Sequence, residues 1–369
     1  MARSVGDATP ARFVRPELRQ LHAYTLEQSS CRFKLDQNEV PWDLPARIKR
    51  RALDRLESRD WARYPDFHGD ELRAALAAAN DWPADGIVVG NGSNELLGVS
   101  LEAFCGPGSE VLGFLPSFGL YEMFVRRAGA RSRFLEPRAD LEVPVHELLA
   151  EIRSKPSRPL LLCSPNNPTG AAASPDEIAE LLVALDAPLL LDNAYAEFCR
   201  FDYRPLLERH DNLVVFRTFS KAWSLGGMRL GYLLANPALV AELLKVKLPY
   251  NLNHAAVAAG LAVLEAAAAA RRRISVLQGR REQFAALFEA FGLGVRPSEG
   301  NFLLVSSVPR VGEDRAREET CRIRDGLAEH GVLVRDVSAY PGLGGCFRVG
   351  IGCGRALRAT HTALKEILQ

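Results

Sequence analysis

The sequence predicts an α/β protein built on a mainly parallel sheet. Short apolar runs alternate with helix-like segments through the centre of the chain, and most of these runs end in a polar or Gly-rich turn. A chain of 369 residues, 47% of them hydrophobic, is long enough to form two domains. We therefore expect a large domain that carries the sheet between layers of helices, and a smaller α+β domain.

Strands of the large domain are predicted wherever a short apolar run is followed by a turn. In chain order these runs are 87–89, 110–114, 160–163, 188–191, 213–217 and 231–234. After the third run, Ser174, Pro175 and Glu177 combine an N-cap, a first-turn proline and a capping-box glutamate. This pattern predicts a crossover helix that begins there.

The last third of the chain has a different character. An Ala-rich and Arg-rich helical stretch runs from about Tyr250 to Phe291, and strands are predicted at 301–305, 332–335 and 346–351 before a final amphipathic helix. We assign residues 47–250 to the large domain. Residues 1–46 and 251–369 are expected to form the smaller domain and an N-terminal arm.

Charge and composition exclude several classes of partner. The net charge of +1 and the pI near 7.6 give no overall bias towards nucleic acid or an anionic membrane. No run of about 18 apolar residues and no signal-like opening segment occurs. The seven cysteines include no Cys-x-x-Cys pair and the seven histidines form no cluster, so we expect cytoplasmic thiols and no metal site.

The segment 220–229 is the most informative part of the sequence. Lys221 lies among small residues, and Arg229 follows eight positions later. A lysine can bond covalently to an aldehyde, while Ser220 and Arg229 can hold a phosphate. The segment therefore suggests a covalently attached, phosphorylated cofactor, although lysine and arginine in a Ser/Gly-rich segment are also typical of a solvated loop.

A second motif lies between the strand at 87–89 and a helix. Its Gly-rich turn, 90–95, would leave backbone N–H groups near Ser93 and Asn94 pointing at an anion. A dinucleotide-binding fingerprint is the rival interpretation, but Glu95 stands where that fingerprint has its third glycine. Taken alone, the segment could also be a plain turn.

Two further motifs follow apolar strands. Two prolines and a glycine in the segment 164–170 make a stiff turn that presents Asn167. Asp192 and Tyr195 follow the strand at 188–191, where the carboxyl end of a central strand faces a ligand crevice. A lone aspartate at such a place is also typical of a helix N-cap, so the conjunction of motifs decides the interpretation.

In this order, the motifs resemble those of the fold-type-I pyridoxal-phosphate aminotransferases over nearly the whole chain. The segments 63–66, 167–170, 217–221 and 248–252 are similar to the histidinol-phosphate aminotransferase branch of that family. The resemblance implies pyridoxal 5'-phosphate as cofactor and a homodimer. Tyr64 of each subunit would reach into the site of its partner.

The resemblance also implies a role for each matching residue. Lys221 would attach the cofactor and move a proton as general base, and Asp192 would pair with the pyridinium nitrogen. Asn167 and Tyr195 would bond the phenolic oxygen of the ring, and Phe118 would lie against its face, although core packing would equally explain that phenylalanine. The groups implied for the phosphate are the backbones of Ser93 and Asn94 and the side chains of Thr218, Ser220 and Arg229.

Substrate recognition is implied for residues near the two ends of the chain. Arg335 and Arg348 would face the anionic tail of the substrate, although Arg335 could instead be a surface residue at a strand end. Tyr24 and Asn38 match the N-terminal segment that closes over the substrate. The family pattern there is Asn-Glu-Asn-Pro followed by an aromatic residue and glycine, and the chain departs from it at Val40 and Asp43.

The implied activity is a transamination between L-histidinol phosphate and 2-oxoglutarate, a step of histidine biosynthesis. Within the same fold, an aromatic amino-acid aminotransferase and a threonine-phosphate decarboxylase are alternatives, since all three bind an anionic tail. A non-catalytic pyridoxal-phosphate-binding regulator is a more distant one. Such regulators carry a DNA-binding domain, for which the sequence before the large domain has no room.

Overall fold

The computed structural model describes residues 13–19, 21 and 30–368. Its strands are β1 (Phe33–Lys34), β2 (Ile87–Gly90), β3 (Glu110–Phe114), β4 (Arg131–Leu135), β5 (Leu160–Cys163), β6 (Leu189–Asp192), β7 (Leu213–Thr218), β8 (Gly231–Ala235), β9 (Gly294–Val295), β10 (Phe302–Ser306), β11 (Val332–Leu333), β12 (Arg335–Asp336) and β13 (Cys346–Gly350). Its helices are α1 (Pro16–Arg19), α2 (Ala46–Glu57), α3 (Asp70–Asn80), α4 (Ser93–Phe104), α5 (Tyr121–Arg127), α6 (Val145–Ser154), α7 (Pro175–Ala184), α8 (Pro237–Val246), α9 (His254–Glu265), α10 (Ala267–Ala290), α11 (Val308–Val311), α12 (Glu313–Glu329) and α13 (Gly354–Leu368).

The larger sheet is mainly parallel, as the sequence predicts. Its strand order is β2-β8-β7-β6-β5-β3-β4, and only β8 runs antiparallel to its neighbours among the described strands. The central strands β5 and β6 are buried along their whole length, because helices cover both faces of the sheet. Their carboxyl ends lie side by side and place Cys163 next to Asp192.

The predicted strands of this sheet are confirmed, and so is the capping box of α7. The backbone N–H of Glu177 donates to Ser174 Oγ at 3.3 Å, and the backbone N–H of Ser174 donates to Glu177 Oε2 at 2.7 Å. The sequence analysis did not predict β4, which lies at the edge of the sheet. Arg131 and Arg133 break its apolar pattern, because an edge strand is partly exposed to solvent.

A second sheet lies in the part of the fold formed by the two ends of the chain. It is antiparallel in the order β12-β13-β10-β9, and β1 pairs separately with β11. The predicted strand 332–335 is therefore divided between the two pairings. This division sets Arg335 opposite Arg348, which also faces Leu304 of β10. The aromatic core behind them consists of Phe284, Phe288, Phe302 and Phe347.

The predicted Ala-rich helical stretch consists of two helices. Helices α9 and α10 meet at 78° near Ala266. No single described helix is long and apolar enough to cross a membrane, although this bent pair passes that test on length and composition together. The division of the chain into 47–250 and the two end segments stays a prediction.

Candidate active site

A cavity of about 350 Å³ lies beside the carboxyl ends of β5, β6 and β7 and reaches the second sheet. Most of the residues that the sequence predicts for the site line it together: Asn38, Ser93, Asn94, Phe118, Asn167, Asp192, Tyr195, Thr218, Ser220, Lys221, Arg229, Arg335 and Arg348. Tyr64 is not among them; it is 80% exposed and stacks on Tyr250 with ring centroids 4.8 Å apart. Tyr24 lies outside the described residues.

One end of the cavity is the N-terminus of α4, which begins at Ser93 directly after β2. The first N–H groups of a helix have no partner within it, so those of Ser93 and Asn94 are available to an anion. Two glycines let the backbone approach this helix terminus closely, and they leave space there for an anion. A Cβ on Gly92, at φ +85°, would lie 2.8 Å from Arg229 Nη2, and one on Gly231 would lie 2.4 Å from the backbone nitrogen of Ser93.

Side chains from the loop after β7 complete this end. Arg229 Nη1 donates to Ser220 Oγ at 3.2 Å and to the Gly226 carbonyl at 2.9 Å. Arg229 itself has φ +52°, a left-handed conformation that an L-residue adopts at some cost. Thr218 Oγ1 accepts from the backbone N–H of Ser220 at 3.1 Å. A guanidinium, two hydroxyls and a helix N-terminus together form an anion cradle.

Lys221 projects into the middle of the cavity. Its Nζ donates to the Gln37 carbonyl at 2.7 Å and lies 5.9 Å from the ring centroid of Tyr195. Burial, together with the nearby charges of Arg348 and Arg229, lowers the pKa of Lys221 from 10.5 to about 8. An amine with this pKa is neutral often enough at physiological pH to act as a nucleophile or a base.

Asp192 ends β6, which β8 and β7 separate from β2 in the sheet. It is 5% exposed, and burial raises the pKa of its carboxyl group, whereas hydrogen bonds lower it. Tyr121 donates its hydroxyl to Asp192 Oδ2 at 2.8 Å, and the backbone N–H of Ala194 donates to Oδ1 at 3.2 Å. A carboxylate held in this way can pair with a ring N–H in the cavity.

Tyr195 and Asn167 face the same space from two neighbouring loops. Asn38 Nδ2 donates to the Tyr195 hydroxyl at 2.9 Å, and burial raises the pKa of that hydroxyl well above its usual range. Asn167 Oδ1 accepts from Arg348 Nη1 at 2.5 Å. Both side chains line the cavity and are fixed in orientation by these hydrogen bonds.

The remaining wall is cationic. Arg348 is buried in β13, donates through Nη2 to the Asp36 carbonyl, and lies 5.7 Å from the ring centroid of Phe302. Arg335, its partner in the strand register, lines the same wall. Two guanidinium groups on one wall of the cavity are suited to a carboxylate or a phosphate.

The sequence analysis missed several lining residues. Cys163 lies beside Asp192 at the end of β5, where the rule that identified Asp192 also applies. Tyr340 lines the cavity from the turn before β13, and its hydroxyl would lie 2.6 Å from a Cβ on Gly119. Tyr121, at the start of α5, was also missed; it lies behind the lining, where it contacts both Asp192 and Phe118.

The cavity fits pyridoxal phosphate on these observations. The glycine-lined cradle can accept a phosphate, Lys221 can bond an aldehyde, and Asp192 can pair with a ring nitrogen. No group of three or more metal-ligating side chains occurs among the described residues. The residues that line the cavity suit an organic cofactor with a phosphate and an aldehyde.

Comparisons with known proteins agree with this geometry. The histidinol-phosphate aminotransferase of Chlorobium phaeovibrioides is 36% identical over 344 residues, which cover 92% of this chain and 93% of that protein. The enzyme of the same name from Deinococcus radiodurans is 32% identical over 343 residues, which cover 92% of each. These relatives are matched along nearly their whole length.

A solved structure of histidinol-phosphate aminotransferase from Sinorhizobium meliloti, in complex with pyridoxal-5'-phosphate, has the same fold with a TM-score of 0.86. It is 23% identical, and the match covers 98% of both chains. L-threonine-O-3-phosphate decarboxylase from Porphyromonas gingivalis matches with a TM-score of 0.77 and 26% identity, covering 91% of this chain and 99% of that one. Residues 32–367 match the family model "Aminotransferase class I and II", and the chain therefore belongs to this family of pyridoxal-phosphate-dependent enzymes.

Proposed function

We propose that this protein is the transaminase that exchanges the amino group between L-histidinol phosphate and 2-oxoglutarate, giving imidazole acetol phosphate and glutamate in histidine biosynthesis. The observation that supports the proposal most is that the cavity with Lys221 also contains Arg335 and Arg348 on one wall. The chain that forms this cavity is 36% identical to a histidinol-phosphate aminotransferase. The substrate amine lies next to a phosphate ester, so its binding site needs a cation close to Lys221. Arg348 supplies that cation.

The residues that would hold the cofactor divide into two groups. Ser93, Asn94, Thr218, Ser220 and Arg229 form the cradle for its phosphate. At the other end, the groups that would orient the ring are the side chains of Phe118, Asn167, Asp192 and Tyr195. When bound, the cofactor supplies a protonated, conjugated ring that withdraws electrons from the substrate Cα.

Lys221 would act as the general base that removes the proton from the substrate Cα. Its Nζ donates to the Gln37 carbonyl and lies near the Tyr195 ring. Its lowered pKa leaves a fraction of the amine neutral and able to take the proton from the substrate Cα. The carboxylate of Asp192 would hold the proton on the ring nitrogen. Asn167 and Tyr195 would fix the ring plane, so that the Cα proton faces Nζ.

Arg348 and Arg335 would bind the anionic tail of the substrate. Arg348 is already held by Asn167 and by the Asp36 carbonyl, so little conformational freedom is lost when it binds an anion. Glutamate and histidinol phosphate both present an anion next to the reacting amine. The same arginine would therefore serve both half-reactions. Asn38 and Tyr24 would close over the substrate from the N-terminal segment.

A homodimer is part of the proposal. Tyr64, Phe67 and Tyr250 are exposed and contact one another: Tyr64 stacks on Tyr250, and Phe67 meets Tyr250 edge-on with ring centroids 5.1 Å apart. An exposed aromatic patch of this kind is typical of a protein interface. We propose that this face binds a second copy and that Tyr64 of the partner subunit reaches the phosphate cradle. The free thiols of the cysteines from Cys105 to Cys353 support a cytoplasmic location.

Threonine-phosphate decarboxylation is the second candidate. A protein of that name shares 26% identity and the fold with this chain over 91% of its length. Its substrate also carries a phosphate and an amine, so the cationic wall alone does not separate the two reactions. Release of carbon dioxide without a keto acid would identify the decarboxylase.

The proposal is tested by the visible absorption spectrum of the purified holoenzyme. L-histidinol phosphate, added without a keto acid, is expected to convert the bound cofactor to its amine form, and 2-oxoglutarate is expected to reverse the change. Conversion by aromatic amino acids only would identify an aromatic aminotransferase and refute the histidine-pathway proposal. Absence of conversion by every amino donor would refute transamination itself.

The matched controls use two lysines. Lys221→Ala is expected to abolish the half-reaction, because the nucleophile and base are lost. Lys245→Ala removes an exposed lysine of α8 that pairs with Glu242, and it should leave turnover unchanged. Normal turnover by the Lys221 variant would show that another group performs the proton transfer.

A further inference from the structure

Tyr121 is a buried tyrosine to which the proposed reaction gives no role. It begins α5, is 3% exposed, and donates its hydroxyl to Asp192 Oδ2 at 2.8 Å. Its ring meets the ring of Phe118 edge-on, with centroids 5.5 Å apart and an interplanar angle of 82°. One side chain thus contacts both the acid and the aromatic residue that would face the cofactor ring.

The groups around Asp192 come from four segments. Tyr121 approaches from α5, Cys163 from β5, Lys221 from the loop after β7, and Tyr195 from the loop that follows Asp192 itself. Cys163 donates its thiol to the Pro165 carbonyl at 3.2 Å. Within the described chain, the hydrogen bonds found for the carboxylate come from the Tyr121 hydroxyl and the Ala194 N–H.

These contacts favour the ionised form of a carboxylate that burial would otherwise neutralise. Burial raises the pKa of Asp192, and the bond from Tyr121 is the strongest influence that lowers it. Burial and the nearby Asp192 charge also raise the pKa of Tyr121 well above its usual range, so its hydroxyl keeps its proton at any working pH. Tyr121 is therefore a permanent donor to Asp192.

We propose that Tyr121 is a positioning residue for the transamination: its hydroxyl keeps Asp192 ionised and turned towards the cofactor ring, and its own ring holds Phe118 against the face of that ring. The inference rests on the proposed function, since the cofactor is what Asp192 and Phe118 would both contact. If Asp192 took up a proton, it could no longer hold a proton on the ring nitrogen, and Cα deprotonation would slow.

The test compares two tyrosine-to-phenylalanine variants. Tyr121→Phe removes the hydroxyl and keeps the ring, whereas Tyr232→Phe removes another buried hydroxyl, one that bonds Asn80 Oδ1 at 3.3 Å. Loss of a hydrogen bond to a charged group predicts a fall of about ten-fold or more in kcat for Tyr121→Phe, with the KM of the amino donor little changed. Tyr232→Phe should retain the parent kcat.

The pH profile separates positioning from general stability. Activity requires ionised Asp192 and is lost as the pH falls through the pKa of that group. Since the Tyr121 hydroxyl lowers this pKa, its removal should move the acidic limb of the kcat profile to higher pH. The absorption band of the bound cofactor should shift its pH dependence in the same direction. An unchanged acidic limb in Tyr121→Phe would overturn the inference.

A double-mutant cycle provides the second criterion. In an Asp192→Asn background, the side chain is no longer an acid, so removal of the Tyr121 hydroxyl should cause no further ten-fold loss. An equal loss in both backgrounds would show that Tyr121 does not act through Asp192. If the parent protein binds no pyridoxal phosphate or converts no amino donor, the proposed function fails. If the parent converts histidinol phosphate and Tyr121→Phe matches Tyr232→Phe, the inference alone fails.

Discussion

The lowered pKa of Lys221 predicts how fast the apoenzyme attaches pyridoxal phosphate at different pH values. Only the neutral amine attacks an aldehyde, so the attachment rate should follow the neutral fraction of Lys221. With a pKa of about 8 in place of 10.5, that fraction at pH 7 is larger by about 300-fold. The structure attributes this to burial first and then to the positive charge of Arg348.

Stopped-flow absorbance at the visible band measures the attachment rate directly. The second-order rate constant is expected to rise about ten-fold per pH unit below pH 8 and to level off above it. A rate that is still rising ten-fold per unit beyond pH 9.5 would refute the reasoning, since Lys221 would then have an ordinary pKa.

Arg348→Gln tests the electrostatic part of the argument. Glutamine can still donate to Asn167 and the Asp36 carbonyl but carries no charge, so the pKa of Lys221 should rise and the midpoint of the profile should move to higher pH. Arg153→Gln, a change at an exposed arginine of α6, should leave the midpoint where it is. Equal midpoints in the parent and the Arg348 variant would assign the whole shift to burial.

Three further predictions concern binding. Arg348→Ala should raise the KM for histidinol phosphate by about 10- to 100-fold with a smaller effect on kcat, as measured by steady-state kinetics, because charge-assisted hydrogen bonds to the anion are lost. Gly92→Ala should weaken cofactor affinity by about ten-fold or more in an absorbance titration, since its Cβ would lie 2.8 Å from Arg229 Nη2 at φ +85°. Co-expressed Tyr64→Ala and Lys221→Ala chains should form mixed dimers with one working site, and inactive mixed dimers would show that Tyr64 does not act on its partner.

Much of the fold could be predicted because its strands are buried on both faces. Continuous apolar runs such as those of β5 and β6 are unambiguous, and a capping box fixes where α7 begins. The edge strand β4 was missed because its arginines face solvent. The division of 332–335 between two sheets was missed because a four-residue run does not show which neighbour each half will pair with.

Candidate site residues could be predicted where chemistry and local structure coincide. Lys221 and Asp192 could be predicted only from the conjunction of motifs, since each alone also fits a solvated loop or a helix N-cap, and the structure brings both to one cavity. Tyr121 could not be singled out in the same way, since a tyrosine at the start of a helix is usually part of the core. Its proposed role depends on the hydrogen bond to Asp192, 71 positions away in the sequence, which a local sequence pattern cannot predict.

The N-terminal departures from the family pattern concern how the segment is attached, not what it presents to the cavity. Trp42 lies 5.9 Å from the guanidinium groups of both Arg273 and Arg280, and Arg273 also bonds the Asp43 carbonyl. This attachment fixes the segment from α10. At the cavity, Asn38 still bonds Tyr195, and the Gln37 carbonyl still accepts from Lys221. The two departing side chains lie away from the cavity lining, since Val40 packs on the core of the second sheet and Asp43 pairs with Lys49 of α2. The matching asparagine faces the site, so the departures do not weigh against the proposed substrate.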